Sequence, residues 1–147
     1  MMWQAFDCAK WLQYEKIDIF VCSDAEMRAC ASWQDAFDSF PVTGIALPGE
    51  LDFASLGQLL THSAAPVIRP VSIPGRELYV FAHAMGQALE RLAADDLADI
   101  AVAWAQTAPW SGLDVNPFDL AGFLMALQST WHQSATPDKA LFAWIDA

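Results

Sequence analysis

The spacing of apolar positions changes several times along the chain, and each change predicts an element. Ile17-Asp-Ile-Phe-Val-Cys22 is β-branched and aromatic, too apolar for a solvated edge, and reads as a strand. Ser23 then has a glutamate three residues on, Glu26. This is the spacing at which a hydroxyl and a carboxylate each satisfy a free backbone N–H at a helix start. Cys30, Trp33, Phe37 and Phe40 follow at helical spacing and predict one buried stripe that runs until Pro41 ends the helix. Asp35 and Asp38 lie off that stripe, on the side expected to meet water. Gly44-Ile-Ala-Leu47 predicts a short strand, and Leu51–His62 a helix of about three turns. Val67–Ile73 is β-branched but interrupted by Pro70, which restricts it to a sheet edge.

The second half reads as mainly helical. Phe81, Met85, Ala88, Leu89 and Leu92 share a face and predict a helix over Glu77–Leu92. Asp95 or Asp96 caps the next helix, which buries Leu97, Ile100, Ala101 and Trp104 and stops at Pro109. Asn116-Pro117 combines a preferred cap with a proline at the first helical position, and Leu120, Phe123, Leu124, Leu127 and Trp131 form a stripe behind it. Thr136-Pro137-Asp138 is a turn, and Ala140–Ile145 a C-terminal strand. Residues 3–15 fit a helix (Trp3, Phe6, Lys10 and Tyr14 on one face) and a short strand at Trp3–Asp7 equally well. Scattered strands among about five helices can be buried only by gathering them into one small sheet under the helices, so the fold class predicted is α+β, helix-dominated, in one domain over residues 1–147.

Composition narrows the function classes. With 7 Lys+Arg against 18 Asp+Glu the formal charge is −11. The basic residues are scattered, no two adjacent, so the clustered cations that displace counterions from a nucleic acid are missing and nucleic-acid binding is not expected. The same acidity disfavours anionic membranes, and no run approaches the ~18 continuous apolar residues of a spanning helix. The first residues have no basic region before an apolar run, unlike a secretory signal, and three cysteines (Cys8, Cys22, Cys30) in apolar surroundings suit reduced thiols. A cytoplasmic location is the expectation. Hydrophobic residues at 55%, including 7 Trp and 9 Phe, exclude intrinsic disorder.

The chemistry-bearing residues form no recognised constellation. His62, His83 and His132 are far apart and lack ligand spacing, so neither a metal nor any other cofactor is expected. The glycines fall into no phosphate-cradling pattern. Gly86 and Gly122 sit within predicted helices, where a close helix crossing would account for them. The acidic groups Asp35/Asp38 and Asp95/Asp96/Asp99 read as a solvated helix face and a helix start. A thiol–imidazole pair assembled from Cys22 or Cys30 with His83 stays open, and with it a small enzyme or ligand-binding domain whose pocket lies near Cys22 and His83.

In the C-terminal half, Leu97-x-x-x-Ala101-x-x-Trp104, an aromatic loop, Pro117-x-Asp119-Leu120-x-x-Phe123-Leu124-x-x-Leu127 and Lys139-x-Leu141-Phe142-x-Trp144 resemble a pattern of small, uncharacterised acidic bacterial proteins. Some of these are similar to immunity partners of bacterial toxins. The likeness covers residues 95–146 and consists of packing positions, so it implies an interaction role and no catalytic residue. The expectation is a non-enzymatic interaction protein that offers an acidic, aromatic-containing surface to a basic protein partner. The candidate contacts are Asp35, Asp38, Trp110, Asp114, Phe118 and Asp119. A homodimer whose exposed aromatics are self-contacts is the third reading.

Overall fold

The computed structural model describes residues 15–47, 51–63, 65–107, 115–133 and 138–146. The ambiguous segment at residues 3–15 lies outside them except for Glu15, which begins the first strand. The elements run β1 (Glu15–Ser23), α1 (Asp24–Ala29), α2 (Trp33–Ser39), β2 (Val42–Leu47), α3 (Leu51–Thr61), β3 (Ile68–Val71), β4 (Leu78–Phe81), α4 (His83–Arg91), α5 (Ala94–Ala105), α6 (Pro117–His132) and β5 (Lys139–Asp146). This is the α+β class predicted. The five strands form one antiparallel sheet in the order β2-β1-β5-β4-β3. The last strand in sequence is therefore the central one.

Strand alternation sorts the core into two layers. Ile17, Ile19 and Val21 of β1 and Leu141, Ala143 and Ile145 of β5 point to one face, where α3, α4, α5 and α6 cover them with Phe53, Leu56, Met85, Leu89, Leu97, Trp104 and Leu124. Phe20 and Cys22 of β1, Phe142 and Trp144 of β5 and Leu78 and Val80 of β4 point to the other, where α1 and α2 add Met27 and Ala36. Because both faces are buried, β5 is apolar at consecutive positions rather than alternate ones.

Local signals place several elements. Ser23 Oγ accepts from the Glu26 N–H at 3.1 Å while Glu26 Oε1 accepts from the Ser23 N–H at 2.9 Å, the reciprocal cap the spacing predicts. Asn116 Oδ1 accepts from the Phe118 N–H at 2.9 Å and Pro117 is the first residue of α6. Asp96 Oδ2 accepts from the Ala93 N–H at 3.3 Å, so it caps α5 from inside its first turn. Gly75, with φ 76°, supplies the left-handed residue of the Pro74-Gly75 turn.

Three expectations are corrected. Glu77–Leu92 is not one helix: Leu78–Phe81 is β4, and α4 begins at His83. Leu78 and Val80 face one core layer while Tyr79 and Phe81 face the other, and Ala82 N–H extends the β3–β4 ladder at its open end by donating to Val67 O at 2.7 Å. The run 24–40 is two short helices, because Ser32 caps a second start: its Oγ accepts from the Asp35 N–H at 3.2 Å. That break rotates the stripe, so Ala36 is buried and Phe37 is 45% exposed. Gly86 and Gly122 also differ. A Cβ on Gly86 would meet the Trp131 ring at 2.7 Å, a close helix crossing, whereas one on Gly122 would meet nothing within 4 Å.

Candidate functional site

The predicted contact residues divide between layers. Asp35 and Asp38 are exposed on α2, the side of Phe20 and Trp144, whereas Phe118 and Asp119 are exposed on α6, in the other layer. Trp110 and Asp114 lie outside the described residues. Asp35 is helix punctuation, with Oδ2 accepting from the Ala31 N–H at 2.8 Å. Asp38 accepts from Gln34 Nε2 at 3.0 Å, one turn back on the same helix.

At the start of α6 an apolar ring is held out into solvent. Phe118 is 84% exposed, and its backbone N–H is tied to the Asn116 cap. The buried residues of α6, Leu120, Phe123, Leu124, Leu127 and Thr130, lie on the opposite face from Phe118, Gly122 and Met125, so the cap fixes the helix phase that turns Phe118 outward. Asp119 is exposed beside it in the first turn. Among the described residues the one ion pair joins Arg28 and Asp24 at 2.8 Å, so the other described acids stand without a cationic partner there.

The thiol–imidazole pair is not formed. Cys22 belongs to the layer of α1 and α2, whereas His83 is exposed at the start of α4, its ring edge-on to Trp131 at 6.3 Å in the opposite layer. Burial, followed by the nearby Glu26 and Cys30, pushes the Cys22 thiol up to about 12, which keeps it protonated and unreactive near neutrality. Cys30 is buried also, with Sγ donating to Met27 O at 3.2 Å. His62 is exposed and takes a left-handed φ of 55° just after α3, a helix-ending position, and His132 is exposed at the end of α6. Among the described residues no group of three or more His, Cys, Asp or Glu is placed to hold a metal ion, and no helix is long and apolar enough to cross a membrane.

The apolar run of β1 holds a buried acid. Asp18 lies in the middle of β1 and is only 4% exposed. Its Oδ2 accepts from the Trp33 indole Nε1–H at 2.9 Å, and Gly44 stands opposite it on β2. A Cβ on Gly44 would come within 3.0 Å of Asp18 Oδ1, so the glycine makes room for the carboxylate. The signal was one acid in an apolar strand, in phase with Phe20 and Cys22. Arg76 completes this layer: it donates to Met27 O at 3.1 Å and to Cys30 O, and its guanidinium lies 4.9 Å from the Trp144 ring centroid. It thereby ties the β3–β4 turn to the free carbonyls at the end of α1.

Comparison with family models, with curated proteins and with solved structures found no match to this chain.

Proposed function

We propose that the chain is a non-enzymatic interaction protein that binds a basic protein partner through an acidic surface anchored by Phe118. The observation that carries this reading is the 84% exposure of Phe118 on a capped helix start, next to exposed Asp119. A large ring on a rigid element loses little conformational freedom on binding, and surrounding acids speed encounter with a cationic surface. The charge of −11 and the scarcity of ion pairs on the described surface support the same partner chemistry. Within this reading the chain would act as an inhibitor or immunity protein, blocking a toxin-like effector by occupying its basic face.

The test starts from native purification of the full chain with what it retains, followed by kinetics with the purified partner. A basic protein should be found, with affinity that falls as salt rises. Phe118→Ala should weaken binding by more than about tenfold with an unchanged melting temperature. Asp119→Lys should slow association. Salt-independent binding, or a Phe118→Ala variant that binds as tightly as the parent, overturns the reading.

A further inference from the structure

The two edges of the sheet differ in their backbone groups. Val21 N–H donates to Pro41 O at 3.0 Å, in register with the β1–β2 pairs Ile19↔Thr43 and Ile17↔Ile45. In an antiparallel ladder the hydrogen-bonded pairs alternate, so residues 41, 43 and 45 turn their backbone groups toward β1, and Val42, Gly44 and Ala46 turn theirs outward. None of these outward groups has a hydrogen-bond partner among the described residues, and Gly44 is exposed. At the far edge the same reasoning, from Ala82 N–H donating to Val67 O, turns Ile68 and Pro70 outward. Pro70 has no N–H, and Arg69 lies beside it, so that edge is blunted. Val42–Leu47 carries neither proline nor charge.

We propose that the outer edge of β2 pairs with β2 of a second copy of this chain, antiparallel about a two-fold axis, to form one continuous sheet. The outward residues are symmetric about Gly44. With Gly44 on the axis, Val42 of each copy meets Ala46 of the other, and each outward N–H finds an outward carbonyl. The only basic residue of β1 and β2, Lys16, is exposed and lies opposite Ala46, on the face that α2 covers. Pairing Ala46 with Val42 of the second copy brings Lys16 to the end of that copy's α2, where Asp38 is exposed and the helix dipole is negative. Symmetry makes this contact twice. Apolar surface flanks the edge on both sides: Phe37 is 45% exposed and stacks on Trp33, whose indole bonds to Asp18 opposite Gly44. Met125 is 46% exposed on α6, the helix bonded to β2 through Thr43. This interface is separate from Phe118, and either could stand without the other.

Sedimentation of the full chain over a wide concentration range tests it, read together with amide exchange. The parent should dimerise, with the Val42, Gly44 and Ala46 amides protected only in the dimer. Ala46→Pro removes an outward N–H that β1 does not use, and should raise the dimer dissociation constant more than about tenfold. Lys16→Glu, a surface change that leaves the strand intact, should raise it roughly two- to tenfold. Combining Lys16→Glu with Asp38→Lys should restore it. A chain that stays monomeric overturns the proposal, whether or not those amides are protected. So does a dimer in which they exchange freely, or one indifferent to both Ala46→Pro and Lys16→Glu.

Discussion

The two faces of the sheet are covered by different means. On one, four helices of 9 to 16 residues lay apolar stripes over Ile17, Ile19, Val21, Leu141 and Ile145. Few polar contacts punctuate that layer: Thr43 and Thr130 share a hydroxyl hydrogen bond of 2.6 Å, and Gln128 Nε2 donates to Leu89 O and Leu92 O, each at 2.7 Å. On the other, helices of 6 and 7 residues are too short to cover the strands alone. That side is held by directed contacts: the Ser23–Glu26 and Ser32 caps, the Trp33–Asp18 hydrogen bond and the Arg76 clasp on α1. A long amphipathic helix covers a sheet by area alone. A short one needs specific partners, and here these include the buried Asp18 carboxylate.

The largest loss of stability is expected on the helix-covered face. Trp104 is fully buried and its ring centroid lies 6.1 Å from that of Phe123, so Trp104→Ala should cost about 3–5 kcal/mol in denaturant unfolding. A loss of under about 1 kcal/mol would mean that area burial does not dominate there. On the thinner face, Trp33→Phe keeps a ring but leaves Asp18 Oδ2 without its donor. The expected loss is about 1–3 kcal/mol, visible in the same measurement.

Alkaline pH should also load the thinner face. The Cys22 thiol ionises near its ordinary value of 9.0 when unfolded and at about 12 when folded. The unfolded state therefore releases its proton first as pH rises. The stability this group contributes is complete below pH 9.0, declines above it, and is lost once pH has risen through about 12. Cys22→Ala should flatten the alkaline fall in unfolding free energy, and an unchanged slope would show that the thiol does not titrate as placed.

The smallest effects separate Gly86 from Gly122. Gly86→Ala pushes a methyl into the Trp131 ring and should lower stability by about 1–3 kcal/mol. Gly122→Ala meets nothing and should raise it by up to about 1 kcal/mol. Thermal melts of the pair would show opposite shifts, and shifts of the same sign would sink the close-crossing account of Gly86.

Features that depend on neighbours in sequence were legible in advance. Ser23 with Glu26 and Asn116 with Pro117 each satisfy backbone groups within a few residues, so spacing alone reveals them. Pro70 likewise marked β3 as an edge strand. Leu78–Phe81 was misread because Phe81, Met85, Ala88, Leu89 and Leu92 satisfy helical periodicity whether or not Phe81 belongs to the helix. In the candidate surface, the exposure of Asp35, Asp38 and Asp119 followed from pattern. The division of those acids between two layers did not, because it depends on which face of the sheet each helix covers.

From its own order of residues the chain determines the α+β class, the capped starts of α1 and α6, and an acidic exterior, because each follows from local hydrogen bonding, periodicity or charge. Only the tertiary structure decides that β5 enters between β1 and β4, that Asp18 is buried against Trp33, that Cys22 and His83 lie on opposite faces, and that β2 has no outer neighbour among the described residues. Those outcomes depend on strand pairings between distant segments, and no spacing within one segment encodes its partner across the sheet.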